Sequence, residues 1–343
     1  MLGSAVIALG VIAPVVFFYF LVIKGTDRYE PEPLWLLILT FLWGAVVATL
    51  TAIVGNAIGQ NAVSAALGAG AEDALVQAST ASFVAPLVEE TTKGIGLLLL
   101  WGASATFLRE LDGALDGAIY GGVIGLGFTL TEDVLYVASA GAQGGLGALA
   151  GIFVLRTVLA GLSHASFTAM TGLGVGIAAE TSNPLIKVIA PIGGWMAAVG
   201  LHFVHNFLVT FLFAGGAGLG AKLVVFWLFD MLFFVLVIAL GVRDRAIVLS
   251  GLVDEAGRLL HPKELSRTTS YWMLVPLWNF AQLASSPSGY RASRRKQLDL
   301  IELAFLKQRR RRGEASVALE RTEYELRHRI QLANQSNVFI GPR

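Results

Sequence analysis

The stretch AVIALGVIAPVVFFYFLVI, residues 5–23, runs for 19 residues without a charge. As a helix rising 1.5 Å per residue it would nearly cross the ~30 Å hydrocarbon core of a bilayer. No basic segment precedes it and no small-residue cleavage site follows it, so it reads as a retained first span and not as a signal peptide. The rest of the chain has the same character. Hydrophobic residues make up 55% of the 343 residues and charged residues only 14%, against about 25% in an average soluble domain. Further apolar runs lie near 34–58, 79–102, 114–139, 155–178, 187–213 and 221–241. They are continuous rather than alternating, which argues against a β-barrel. The expected fold is all-α: a polytopic transmembrane helix bundle of about seven to eight spans, residues 1–241, followed by a basic helical cytoplasmic tail, residues 242–343.

Charge sets the expected orientation. Residues 1–241 hold 7 Lys and Arg, and residues 242–343 hold 18. Lys24, Arg28, Arg109, Lys187, Arg243 and Arg245 fall in alternate loops or at the start of the tail, while the loops near Glu72 and in the Gly-rich stretch 140–149 hold none. The positive-inside rule then puts the N-terminus outside and the tail in the cytoplasm, with Lys222 as the discordant residue. The tail shows helical periodicity over 244–260 and 290–334. Its run KQRRRR, 307–312, suits anionic lipid headgroups, and no nucleic-acid motif accompanies it. The chain has no cysteine, which excludes disulfides, thiolate catalysis and Cys-based metal sites. Its richness in alanine, glycine and arginine fits a bacterial plasma (inner) membrane protein.

Ionisable groups inside a span are rare and mark function by default. Here they gather. The third run carries Glu89, Glu90 and Lys93; the fourth carries Glu132 and Asp133; the fifth carries His164; the sixth carries His202 and His205, with Asn206; the seventh carries Asp230. Glu89 and Lys93 are four apart and Glu90 and Lys93 three apart, so either pair meets on one helix face. Glu89 and Glu90 are ~100° apart, so one can face a cavity while a neighbouring span holds the other. His202 shares a face with Asn206, and Phe128 with Glu132. His205, off the His202–Asn206 face, is assigned no role, and Asp230 a structural one. Arg156 is read as either snorkelling to the interface or pairing with a third- or fourth-run carboxylate. Gly121, Gly122, Gly125 and Gly127 allow another helix to approach closely. Under the expected orientation Glu89, Glu90, Glu132 and His202 lie roughly 10–17 Å below the outer surface. His164 joins that layer if residues 146–154 form a separate external turn or short helix.

A carboxylate and two imidazoles around a water pocket suit peptide hydrolysis, with a glutamate as general base and imidazole or amide donors at the oxyanion. The same groups suit a divalent metal such as zinc, held by His164, His202 and Glu132. The zincin pattern H-E-x-x-H and the serine pattern G-x-S-x-G are both missing. A proton- or ion-coupled transporter and a non-catalytic membrane scaffold are the alternatives.

The motifs that carry these groups resemble those of the PrsW family of intramembrane proteases, related to the type II CAAX prenyl proteases. VEETTKG, from Val88, resembles the family's E-E-x-x-K motif. LDGAIYGGVIGLGFTLTED, 115–133, resembles its F-x-x-x-E motif at Phe128 and Glu132. RTVLAGLSHASFTAMTGLG, 156–174, resembles the motif centred on His164, and LHFVHNF, 201–207, resembles H-x-x-x-N at His202 and Asn206. DRYEPEPLW, 27–35, is similar to the acidic, proline-containing segment before the second span. One departure is Glu132-Asp133, where the family often has Glu-Asn. The resemblance covers roughly residues 5–215. It implies an endopeptidase cutting membrane-bound proteins on the extracytoplasmic side, with a single-pass, anti-sigma-factor-like substrate as in regulated intramembrane proteolysis. It implies a catalytic set of Glu89, Glu90, Glu132, His164, His202 and Asn206, supported by Lys93, Phe128 and Asp133. A general-base reaction without a required metal is the expected mechanism.

Overall fold

The computed structural model describes residues 2–68, 70, 72–108, 110–212, 218–270, 274 and 286–341. Arg109, one of the charges behind the expected orientation, and 213–217, at and beyond the end of the sixth expected run, lie outside the described residues. The chain is helical, with no strand among the described residues. It forms two compact units: Met1–Thr26 with Glu32–Ile238, and Asp27–Pro31 with Ala239–Arg343.

In the first unit α1 (Leu2–Thr26) is followed by α2 (Leu34–Leu42), a π-helical turn (Trp43–Ala48) and α3 (Thr49–Leu67). Next come α4 (Asp73–Ser79), a second π-helical turn (Thr80–Val84) and α5 (Ala85–Ala103). They are followed by a third such turn (Ser104–Leu108), α6 (Ala114–Phe153), a fourth turn (Val154–Val158), α7 (Ser163–Glu180), α8 (Pro184–Phe207), a fifth turn (Leu208–Leu212) and the first part of α9 (Leu219–Leu252). Among the described residues five stretches are long and apolar enough to cross a membrane: Leu2–Thr26, Leu34–Leu67, Ala114–Glu180, Pro184–Phe211 and Gly220–Glu255. The differences from the expected runs have physical causes. Ala114–Glu180 contains two helices, α6 and α7, joined by the turn Val154–Val158 and four further residues. The α5 helix drops out because Glu89, Glu90 and Lys93 break its apolar character, yet all three are buried.

The central element is α6, buried on every side from Ala114 to Thr129. It can be so because its glycines admit other backbones. A Cβ on Gly125 would run into the His164 carbonyl of α7, and one on Gly127 into the Phe41 carbonyl of α2. The stretch 140–149, expected as a loop, is helical except at Gly145, whose φ of 71° suits glycine alone. Residues 146–153 thus form a separate helical segment that leads into the turn bearing Arg156. Apolar side chains left exposed on α1 and α8, such as Phe17, Phe18, Val188 and Ile192, form faces suited to lipid.

The second unit contains the end of α9, α10 (Pro262–Thr268), α11 (Pro287–Arg311) and α12 (Val317–Gln335). The expected periodicity is interrupted twice: the chain turns after Leu252, and α11 and α12 are separated near Gly313, at φ 90°. These helices enclose their own core around Val248, Leu252, Leu300, Leu303, Leu326 and Ile330. The run 307–312 spends its charge internally: Lys307 pairs with Asp254 and Glu255, Arg309 with Glu314, and Arg310 with Glu323.

Candidate active site

The α5 helix starts with Pro86 in its first turn, where a proline is tolerated because its missing N–H would have no partner. One turn later come Glu89 and Glu90, then Lys93, and the three diverge as their ~100° spacing requires. Lys93 points inward. Its Nζ lies 2.8 Å from Glu90 Oε1, 3.0 Å from His164 Nδ1 and 3.8 Å from Glu89 Oε2, and 3.9 Å above the Phe128 ring. Glu90 is fully engaged. Its Oε1 also meets His202 Nδ1 at 3.1 Å, and its Oε2 accepts from the Thr168 hydroxyl at 2.9 Å. Glu89 is engaged on one oxygen only: Oε1 accepts from Asn56 Nδ2 at 3.2 Å, while Oε2 has no hydrogen-bond partner.

The partners dictate the imidazole tautomers. A carboxylate only accepts and an ammonium only donates. So His202 carries its proton on Nδ1, toward Glu90, and leaves Nε2 as a lone pair. His164 carries its proton on Nε2, toward Glu132 Oε2 at 2.9 Å, and accepts from Lys93 at Nδ1. The two rings stand 5.0 Å apart, and Phe167 stacks on His202. Each histidine is thus backed by a carboxylate. Glu132 in turn receives Arg156, whose Nε donates to Asp133 Oδ1 at 2.9 Å; Thr157 donates to the other Asp133 oxygen at 2.8 Å. Of the two readings of Arg156, pairing with fourth-run carboxylates is the one the structure takes.

A cavity of about 790 Å³ opens over this network. Glu89, Glu132, Asp133, His164, His202 and Asn206 line it, while Glu90, Lys93 and Phe128 lie behind its wall. Asn206 donates to Ala81 O at 2.8 Å and accepts from His205 Nδ1 at 3.1 Å. Three of the five π-helical turns among the described residues supply a partner. Trp43 holds the Thr92 carbonyl of α5, Ala81 holds Asn206, and the turn Val154–Val158 carries Arg156 and Thr157. Such turns widen a helix locally and recur at functional sites.

Three corrections to the sequence reading follow. The candidate metal set contains Glu89, not Glu132: one ligand atom each from Glu89, His164 and His202 lies within 4.8 Å of the others. Glu132 stands behind His164, tied to it and to Arg156. His205, assigned no role, lines the cavity, because three-residue spacing puts it near the His202 face. Its Nε2 has no hydrogen-bond partner. Asn56 was passed over because it carries no charge, though an amide inside an apolar run was signal enough. Asp230 accepts from Ser163 at 3.0 Å and ties α9 to the start of α7.

The sequence model described as PrsW family intramembrane metalloprotease matches residues 32–240. The chain belongs to the PrsW family. It is a protease, and its helices are those of a membrane-embedded one. No curated protein and no solved structure matches the chain. The family's description implies a metal, and the residues present fit one. Two imidazoles and a carboxylate are a catalytic donor set. Glu89 Oε2 is an orphaned buried acceptor, and a carboxylate behind each histidine is the usual outer support of a ligating imidazole. His202 Nε2 is free for such a role, whereas His164 Nδ1 faces Lys93.

Proposed function

We propose that this PrsW-family protease hydrolyses a peptide bond of single-pass, anti-sigma-factor-like membrane proteins, with Glu89 as the general base. The observation that carries the reading is the asymmetry of the two adjacent glutamates: Glu90 has every oxygen bound, and Glu89, which lines the cavity, keeps a buried Oε2 with no hydrogen-bond partner. Glu89 Oε2 takes a proton from water as the water oxygen bonds to the scissile carbonyl carbon. Asn206 spends one amide hydrogen on Ala81 and has a second for the developing oxyanion. The carbon–nitrogen bond then breaks as Glu89 returns the proton to the leaving amine. Glu90, pinned by Lys93 and Thr168, orients His202, and Glu132, pinned by Arg156, orients His164. Glu89 Oε2 and His202 Nε2 would hold a divalent metal, joined by His164 only if Lys93 gave up His164 Nδ1, and the metal when bound would lower the pKa of a water and polarise a carbonyl. In that case Glu89 Oε2 would serve as a ligand in place of its role as free base, while Glu90 and Glu132 would keep their orienting roles.

The charge bias supports an external N-terminus and a cytoplasmic tail in a bacterial inner membrane. What remains of the tail's basic charge after internal pairing is offered to anionic headgroups. Because the chain has no cysteine, single introduced cysteines report sidedness directly. One at Ser336 should react only from the cytoplasmic side.

The test is cleavage of single-pass membrane proteins, anti-sigma factors included, by the purified chain beside Glu89→Gln and Glu90→Gln, each with and without chelator. Loss of cleavage in folded Glu89→Gln is expected. Full activity in that variant removes Glu89 as the base, and loss on chelation with recovery on added zinc makes the metal a requirement.

A further inference from the structure

Asn56 is the polar group closest in kind to a machinery residue that none of the site motifs contains. It sits on α3, 33 residues before Glu89, on the cavity wall. Its amide assignment is chemically forced: the carboxylate of Glu89 accepts only, so the NH2 side must face Oε1. The contact does two things. It uses up one oxygen of Glu89, so that the carboxylate cannot rotate freely, and it leaves the other oxygen as the one presented to an incoming molecule. Asn56 Oδ1 is itself buried with no hydrogen-bond partner. Two buried acceptors without donors, Glu89 Oε2 and Asn56 Oδ1, are thus contributed by two side chains already bonded to each other. Buried polar atoms of this kind are costly unless something occupies them.

The placement of Asn56 is built into the fold. Two glycines let α3 approach α5 and the π-helical turn before it: a Cβ on Gly55 would strike the Val88 side chain, and one on Gly59 the Val84 side chain. Gly55 and Gly59 bracket Asn56 on neighbouring turns. The close approach therefore falls at the residue whose amide must reach Glu89.

We propose that Asn56 is a positioning residue of the hydrolytic site. Its NH2 group fixes the Glu89 carboxylate by Oε1 and leaves Oε2 as the oxygen available to react, and its carbonyl oxygen supplies a second acceptor beside it. The inference rests on Glu89 being the reacting carboxylate. It holds whether Glu89 Oε2 takes the proton from water or instead serves as a ligand to a metal, since either role uses Oε2.

The experiment compares wild type with Asn56→Ala, Asn56→Asp and, as a control from the same cavity wall one turn on, Gln60→Ala. Cleavage is measured as separate kcat and KM, and melting temperature is measured in detergent. Asn56→Ala is expected to lower kcat about 10- to 100-fold, the usual loss for an outer support of a reacting group, with KM within about twofold. Asn56→Asp keeps size and an acceptor but loses the donor, and should lose at least as much. Gln60→Ala should keep kcat. A second arm needs no substrate: a cycle of Asn56→Ala, Glu89→Gln and the double variant, read as melting temperature. Non-additive shifts are expected, because contacting groups couple. Additive shifts overturn the contact. Non-additive shifts with unchanged kcat in Asn56→Ala overturn the positioning role. If wild type cleaves and Glu89→Gln cleaves equally, the general-base reading fails and the proposal falls with it, whatever the melting data show.

Discussion

Two buried glutamate–lysine pairs, one in each unit, can be set side by side. In the second unit Lys296 Nζ lies 2.6 Å from Glu264 Oε1, which also accepts from the Ile340 amide, while Glu264 Oε2 accepts from the His261 amide. Lys296 makes a further bond to the Val338 carbonyl. Every oxygen is used, and the pair holds the chain end against α10 and α11. In the first unit Lys93 binds Glu90 closely as well, but its second carboxylate, Glu89, stands 3.8 Å off, lines a cavity and keeps one buried oxygen without a hydrogen-bond partner. Burial of charge is common to both. What separates a structural pair from a chemical one is an acceptor left unsatisfied where a substrate can arrive.

That contrast can be broken most directly at Glu89. Glu89→Gln should cut kcat by about 10²- to 10⁴-fold, the range of general-base catalysis, while melting temperature stays within a few degrees. The matching change in the other pair, Glu264→Ala, should leave chemistry out of account and cost stability. Removing one partner of a buried pair strands the other at about 3–5 kcal/mol, read as earlier unfolding of the second unit in denaturant. If Glu264→Ala unfolds no earlier than wild type, closed pairs in this chain are not structural and the comparison fails.

The remaining predictions sharpen it. Gly125→Val would push the His164 backbone away from α6. A displacement near 1 Å should cost up to about 10²-fold in kcat, with His164 and Glu132 still present. In the second unit Glu323 accepts from Arg310 and, at 3.0 Å, from Arg327. Burial raises its carboxyl, but the Arg310 and Arg327 hydrogen bonds outweigh that and hold it below the ordinary carboxylate value. A depressed folded value means the stabilisation is present above the unfolded value of about 4.3 and is lost as pH falls through the folded one. Unfolding of this unit should therefore ease in acid below about pH 4, and Arg327→Gln should flatten that dependence. Smallest of all, Arg321→Ala removes an exposed four-residue pair with Glu325 and should change stability by no more than about 0.5 kcal/mol.

Much of this site could be read without coordinates, and the reasons are local. Uninterrupted apolar runs announce helices that need no partner to satisfy their backbone, so residues 5–23 alone implied a membrane fold. The i,i+3 and i,i+4 rules placed Lys93 against both glutamates and His202 beside Asn206. Charges in apolar runs are so costly that Glu89, Glu90, Glu132 and His164 marked themselves. The separate segment after Gly145 followed from asking at what depth His164 must lie.

What only tertiary structure decided is which atom faces what. Helical spacing said that Glu89 and Glu90 diverge, but not which one the neighbours would saturate. That depends on Thr168 and His202 arriving from α7 and α8, and on Asn56 arriving from α3. The same holds for Glu132, whose chemistry suits a metal ligand until Arg156, 24 residues on, claims it. Periodicity fixes the direction of a side chain within its own helix. The partner across the gap is set by how closely two helices pack, and in this chain glycines at Gly55, Gly59 and Gly125 set that distance.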